Sequence, residues 1–143
     1  MRPEFKYGLA TGAGVCLWVL LEFLLGLHTA RLDLGQYTGY LSNLIPLTGL
    51  FLLLRAKRAT IYDGRLSLGA GIGSGMLASL VASMLVYSFL VTYNQFINPG
   101  WIDQALEWKV ARLRAAATSE SDIQDRITLF RQAYSPVGLL SSI

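Results

Sequence analysis

Cysteine, histidine and charged residues are scarce in this sequence. Cys16 is the single cysteine, which excludes an internal disulfide, a zinc cluster of cysteines and a CxxC redox motif. Charged residues make up 15% of the chain, whereas ordinary soluble domains carry about 25%. The sequence shows no pair of nucleophile and general base, no metal-binding cluster and no cofactor-binding loop. We therefore expect a protein without enzymatic activity, and we expect no cofactor and no metal.

Hydrophobic residues are abundant instead, and they are gathered into long runs. They make up 53% of the 143 residues, and the mean hydropathy is +0.46. Three runs are long enough to span roughly 30 Å of hydrocarbon as helices; they cover about residues 7–27, 37–54 and 66–95. The first exceeds the roughly 7–15 residues of a signal-peptide core, so we interpret it as an uncleaved membrane helix. The length suits a single membrane domain, residues 1–143.

The basic residues predict the orientation of these helices, because Lys and Arg concentrate on the cytoplasmic side of membrane proteins. The connection between the second and third runs is the most basic; it holds Arg55, Lys57, Arg58 and Arg65 against Asp63 alone. We therefore predict a cytoplasmic N-terminus and an outer location for everything after residue 95. The first three of these cations are expected to contact anionic lipid headgroups. The net charge of +3 lies near the membrane ends, so we expect no nucleic-acid partner.

Residues 97–135 have a pattern that predicts an extracytoplasmic hairpin of two amphipathic helices. Asn98-Pro99 is typical of a helix start, and Ser121 with Gln124 fits a capping box for the second helix. Aromatic side chains lie along the two helices: Trp101, Trp108, Phe130 and Tyr134. These apolar faces either pack on each other and on the membrane or dock a partner. Residues 136–143 are apolar again and are expected to begin a fourth helix, although eight residues cannot span a membrane.

Small residues predict where the membrane helices pack. Gly71, Gly75 and Ser79 recur at steps of four in the third run, a spacing typical of close helix contacts. Gly8 and Gly12 lie at the same end of the first run, so the first and third helices are expected to approach closely there. The run Gly69–Gly75 lacks the GK[ST] ending of a phosphate loop and follows no strand, so packing is favoured over a ligand role.

Glu22 is the most conspicuous polar residue, because a carboxylate inside a membrane run marks a functional candidate. At 100° per residue it falls within about 40° of the small residues of its helix, so we expect it to point into the bundle. Three interpretations stay open: a structural hydrogen bond, handling of protons or ions, and extension to the outer interface. Asn43 and Tyr87 lie at a similar predicted depth and could form a buried polar node with it. Pro46 predicts a kink in the second helix, since it cannot donate to the carbonyl of Ser42.

His28 is the only histidine and lies at the outer end of the first run. A histidine in this position could ligate a haem or a chlorophyll-type pigment. It could equally be an ordinary interfacial residue. We treat pigment or haem binding through His28 as one of the functional alternatives.

An ordered set of short motifs resembles a known family. Lys6-Tyr7-Gly8 opens the first helix, and Arg55 and Arg58 close the second. Asp63-Gly64-Arg65-Leu66-Ser67-Leu68-Gly69 leads into the third, and Ile97-Asn98-Pro99 and Ser135-Pro136 bracket the hairpin. The order resembles the bacterial membrane proteins of domain-of-unknown-function family 4199. The resemblance implies four transmembrane helices with an extracytoplasmic hairpin before the last, and this sequence ends inside the expected fourth. The family has no established activity.

Together these features predict an all-α membrane protein of the bacterial cytoplasmic (inner) membrane, with three transmembrane helices and the start of a fourth. The first functional hypothesis is a non-catalytic accessory or scaffold subunit of a larger membrane assembly. The alternative is a small transporter or channel with Glu22 in the path, and the third is a pigment- or haem-binding subunit using His28. The expected partners are membrane lipid, other membrane protein subunits and further copies of the chain in a homo-oligomer.

Overall fold

The chain folds into helices connected by short turns. A computed structural model describes residues 1–60, 64–135 and 137–138. Its six α-helices are α1 (Pro3–Leu24), α2 (Leu32–Leu41), α3 (Leu44–Thr60), α4 (Leu68–Thr92), α5 (Trp101–Ala115) and α6 (Glu120–Ala133). A π-helical turn, Tyr93–Ile97, extends α4. The described residues contain no strand, so the predicted all-α class is confirmed.

Three helical segments are long and apolar enough to cross a membrane: Pro3–Leu24, Leu32–Thr60 and Leu68–Ile97. They correspond to the three predicted runs, although the second begins earlier than residue 37. Most of their large apolar side chains are exposed on the outside of the bundle, as expected for a surface covered by lipid. The predicted start of a fourth helix at residues 136–143 falls, apart from residues 137 and 138, outside the described part of the chain.

The second span is broken between α2 and α3, where Ser42 and Asn43 form a turn. Pro46 follows in the first turn of α3, where the missing N–H is tolerated. The Ser42 hydroxyl donates to the Gly39 carbonyl over 2.6 Å, and the Asn43 amide donates to the Tyr40 carbonyl over 3.3 Å. The Tyr40 carbonyl also accepts from the Asn43 backbone N–H over 3.2 Å. The helix is thus interrupted just before Pro46, where the sequence predicted a kink.

Helix α1 packs along both α3 and α4, and its glycines permit the closest approach. A Cβ atom on Gly8 would lie 2.7 Å from the Ala78 carbonyl oxygen, and one on Gly12 would lie 3.0 Å from that of Ala82. Real Cβ atoms essentially never come as near to a backbone oxygen as 2.7 Å, so only glycine fits at position 8. At position 12 an added Cβ would be tight, and its neighbours on α4 would have to shift. The predicted contact between the first and third membrane helices is confirmed for these two glycines.

The predicted partners of Gly8 and Gly12 on α4 require correction. Gly75 faces Leu50 of α3, with 3.1 Å between its ideal Cβ and the leucine Cδ1, and Gly71 lies beside Leu54 of the same helix. Ser79 is exposed rather than packed. The reason is the phase of the helix: Gly71 and Gly75 lie on the α3 side of α4, whereas Ala78 and Ala82 face α1.

Helices α5 and α6 form the predicted amphipathic hairpin. Leu106 of α5 and Ile123 of α6 are buried, and Ile123 is fully inaccessible. Ala117 adopts a left-handed conformation (φ 54°) in the connection. The cap of α6 is Ser119, whose hydroxyl accepts from the Asp122 N–H, so the predicted cap at Ser121 lies two residues too late.

Candidate functional site

A polar cluster forms where α1 ends, at the hairpin end of the bundle. Glu22 lies in the last turn of α1 and is only 4% exposed. The chain then turns at Gly26, which has a positive φ of 73° that suits glycine. This turn brings His28 back against the helix, and its Nε2 lies 3.4 Å from Oε2 of Glu22. The turn that follows α1 therefore places the imidazole next to the carboxylate.

The π-helical turn after α4 supplies the other half of the cluster. Tyr93 is 2% exposed, and its hydroxyl lies 2.7 Å from Nδ1 of His28. The side-chain amide of Asn98 donates to the same hydroxyl over 3.2 Å. Phe23 and Phe89 pack against the Tyr93 ring with centroids 5.8 and 5.9 Å away. The aromatic packing fixes Tyr93, and Tyr93 in turn fixes the imidazole.

The hydrogen bonds of these residues run in one direction, from Asn98 through Tyr93 to His28, and His28 in turn contacts Glu22. Asn98 donates to Tyr93, so the Tyr93 hydroxyl is free to donate to Nδ1 of His28. Assigning the ring proton to Nε2 then directs a donor at the Glu22 carboxylate. This series of polar contacts therefore ends at Oε2 of the buried Glu22 carboxylate. The other oxygen, Oε1, has no hydrogen-bond partner among the described residues.

The His28 ring is neutral near pH 7. Burial lowers its pKa below the usual 6.5, because an imidazolium would lose solvation. The Glu22 carboxylate acts in the opposite direction and only partly offsets the effect of burial. Neutral His28 can present its Nε2–H to Oε2 of Glu22, 3.4 Å away.

A cavity of about 340 Å³ separates this cluster from the hairpin, and we call it the hairpin cavity. Glu22 and Gln36 line it from the membrane helices, His28 lines it from the turn after α1, and Lys109 lines it from α5. Five aromatic side chains also line it, along with smaller apolar residues: Tyr40, Trp101, Trp108, Phe130 and Tyr134. The arrangement can enclose a small ligand between a carboxylate and aromatic rings.

The aromatic side chains predicted to dock a partner therefore face the chain's own membrane helices. Trp101 packs on His28, with centroids 5.6 Å apart, and on Tyr134, with centroids 5.1 Å apart. Phe130 packs on Tyr134 at 4.7 Å, and Trp108 is half-buried. These rings pack on each other, as one of the two predicted interpretations of the hairpin expected, and they also line the hairpin cavity. Docking of a partner by the hairpin stays a prediction.

The predicted polar node is wrong in two of its three members. Asn43 is exposed at the break between α2 and α3, where its amide bonds to the Tyr40 carbonyl. Tyr87 is half-buried and forms no described hydrogen bond with Glu22. The partners of Glu22 lie in connections instead, and sequence depth alone did not reveal them. Gly26 and His28 follow Glu22 closely in the sequence. A turn at this glycine could have indicated that the histidine folds back onto the carboxylate.

A second buried polar group lies at the opposite end of the bundle. The Lys57 ammonium donates to the Glu4 carboxylate and, over 2.7 Å, to the Ser74 hydroxyl. The three side chains join α3, α1 and α4, and each is less than one-tenth exposed. The expectation that Lys57 contacts lipid headgroups is thus wrong, whereas Arg55 and Arg58 are exposed. No group of three or more potential metal ligands occurs among residues 1–60, 64–135 and 137–138.

Comparison with known proteins identifies a family. A family model covers residues 6–141, which is most of the chain and includes the residues that line the hairpin cavity, together with Lys57 and Ser74 of the second polar group. No curated protein and no solved structure matches the chain. The resemblance indicated by the ordered motifs is therefore confirmed, and the chain belongs to the family described as Protein of unknown function (DUF4199).

Proposed function

We propose that the protein is a non-catalytic accessory or scaffold subunit of a larger assembly in the bacterial cytoplasmic membrane. In this proposal the N-terminus is cytoplasmic and the α5–α6 hairpin is outside. The observation that supports it most directly is an open cleft of about 170 Å³ among the membrane helices. Most of the residues that line it are small or carry a hydroxyl group; the lining is Tyr7, Thr11, Pro46, Gly49, Leu50, Ala78, Ser79, Ala82 and Ser83.

Such a lining favours a neighbouring helix over lipid. Lipid chains cannot hydrogen-bond with hydroxyl groups, and small residues let a second helix backbone come close. Ser79 is exposed near the middle of the third span, where water is scarce. A membrane helix of another subunit, with small residues on its own face, would satisfy Ser79 and Ser83.

Photo-crosslinking tests whether a membrane helix of another subunit occupies the cleft. A cysteine replaces Ser79 in a Cys16→Ser background and is labelled with benzophenone maleimide in native membranes before illumination. We expect a crosslink to a second polypeptide of defined mass. Met84→Cys is the matched control, because Met84 lies on α4, 63% exposed, about 140° around the helix from Ser79. Equal crosslinking at both positions, or none at either, contradicts the proposal. A crosslinked product of two copies of this chain would replace the proposed partner subunit with a second copy of the chain in a homo-oligomer.

Transport through Glu22 is the second candidate function, and one observation favours it: a buried carboxylate borders a cavity and contacts the only histidine. The rest of the bundle argues against a path. Below Glu22, α1 packs against α4 at Gly12 and Gly8, and the Glu4–Lys57–Ser74 group closes the far end. Transport sites commonly lie near the midplane at broken helices, whereas Glu22 lies in the last turn of an unbroken one.

A flux assay distinguishes the two candidate functions. Proteoliposomes that contain only this protein should show no pH- or ion-dependent flux above that of empty vesicles. A flux that Glu22→Gln abolishes would establish the transporter and displace the scaffold. Pigment or haem binding has the least support, because both ring nitrogens of His28 already face side-chain oxygens of Tyr93 and Glu22.

A further inference from the structure

The hairpin cavity has the chemical features of a ligand site that a scaffold role does not require. Glu22 borders it, is more than nine-tenths buried and keeps one carboxylate oxygen, Oε1, without a hydrogen-bond partner among the described residues. A buried carboxylate is costly without a compensating group. His28 faces only Oε2. A positively charged group that enters the cavity would give Oε1 of Glu22 a partner.

The walls of the cavity favour an organic cation over a metal ion. Aromatic faces attract ammonium groups within about 6 Å. Lys109 already lies over Phe130, at 5.2 Å from the ring centroid, and Arg112 lies over Trp108 at 4.9 Å. The rings of Trp101 and Tyr134, which pack on each other next to His28, carry no such cation from the described part of the chain. A metal ion would find one carboxylate and one imidazole there, which is too few protein ligands for a closed site.

Lys109 indicates that the ligand also carries negative charge. It is exposed, it lines the same cavity as Glu22, and its ammonium is bound to no carboxylate among the residues described. A ligand with both signs of charge could present its cation to Glu22 and its anion to Lys109. The cavity lies where α1 and α4 end, which is the level of lipid headgroups for helices that span a membrane.

We propose that the hairpin cavity binds a phospho-ammonium zwitterion, with the ammonium group against Glu22, Trp101 and Tyr134 and the phosphate against Lys109. The same chemistry occurs in free ethanolamine phosphate and in the headgroup of phosphatidylethanolamine. The volume of about 340 Å³ lies at the lower end of the range for small-molecule sites, roughly 300–1,000 Å³.

Tryptophan fluorescence measures this binding directly. Trp101 and Trp108 line the cavity and Trp18 does not, so a Trp18→Phe background leaves two reporters in the site. Full-length protein in a non-ionic maltoside detergent is titrated with ethanolamine phosphate, short-chain phosphatidylethanolamine and short-chain phosphatidylcholine. We expect a saturable change with at least one of the two primary amines. Saturation with the lipid alone identifies a headgroup site, and saturation with both identifies a soluble ligand site.

Variants test the two assigned contacts. Glu22→Gln should raise the Kd at least tenfold, and Glu107→Gln should leave it unchanged, because Glu107 is exposed on the same hairpin and does not line the cavity. Lys109→Met keeps Glu22 intact. It should weaken the binding of ethanolamine phosphate severalfold and leave the binding of ethanolamine, which has no phosphate, unaffected. No saturation with any amine, or an unchanged Kd in both Glu22→Gln and Lys109→Met, would overturn the proposal.

Discussion

Lys57 and Glu4 show how burial changes the role of a charged residue near a membrane end. The ammonium group is bound to a carboxylate and to Ser74, and both charged side chains are almost inaccessible. Burying a pair costs solvation of both ions, but removing one partner leaves an uncompensated charge. The pair therefore fixes the relative positions of α1, α3 and α4 more than it adds net stability.

We expect Lys57→Met to destabilise the protein by about 3 kcal/mol, the low end of the range for a broken buried pair, because both residues lie near helix ends. The double variant Glu4→Gln with Lys57→Met should recover part of that loss. Chemical unfolding in detergent micelles measures both. Arg55→Met is the control, since Arg55 is exposed on the same helix. If the separate effects of Lys57→Met and Glu4→Gln simply add up to the effect of the double variant, the pair is not coupled.

His28 makes stability depend on pH in a predictable direction. Burial lowers its pKa in the folded state, while the unfolded chain takes up a proton near the usual 6.5. The contribution of His28 to stability is therefore complete above about pH 6.5 and is lost as the pH falls through the lower folded-state value. Glu22 opposes this loss because it attracts the imidazolium, and Tyr93 and Trp101 complete the surroundings of the ring.

Melting temperatures of the purified protein between pH 7.5 and 5 should fall for the native sequence. They should fall less steeply for His28→Asn, whose side chain does not titrate. The chain has no other histidine, so no second imidazole can mask the difference. Parallel curves for the two proteins would mean that His28 titrates alike in the folded and unfolded states.

The contact between α1 and α4 depends on glycine. Gly8 leaves no space for a methyl group beside the Ala78 carbonyl, whereas a Cβ on Gly73 would meet nothing within 4 Å. We expect Gly8→Ala to destabilise the bundle. Gly73→Ala should be neutral or stabilise it by up to about 1 kcal/mol, the usual gain in helix propensity. Thermal unfolding compares the two, and a Gly8→Ala protein as stable as Gly73→Ala would contradict the packing described here.

Helix periodicity and composition predicted the elements well because they depend on local sequence. The three spans, the break before Pro46 and the hairpin all follow from apolar length, proline geometry and spacing. The side-chain partners depend on helix phase and on the connections. Lys57 resembles Arg55 and Arg58 in the sequence, and only the position of Glu4 on α1 explains its burial. Asn43 was predicted to join a buried node with Glu22, but it lies in an exposed turn.

For the whole molecule, the proposed orientation places the Glu4–Lys57 pair near the cytoplasm and the hairpin cavity outside. Single cysteines at Thr60 and Ser119, both exposed, report on the two sides in a Cys16→Ser background. A membrane-impermeant maleimide added to intact cells should label position 119 and leave position 60 unlabelled until the cells are opened. Labelling of position 60 alone in intact cells would reverse the orientation.

Native mass spectrometry after gentle extraction tests the proposed scaffold role most directly. The native sequence should retain a second polypeptide in addition to its own 15.7 kDa. Ser79→Leu, which fills the cleft, should release that polypeptide, while Met84→Leu on another face of α4 should retain it. A 15.7 kDa chain that carries lipid alone in all three proteins would contradict the proposal that the protein works by holding a partner.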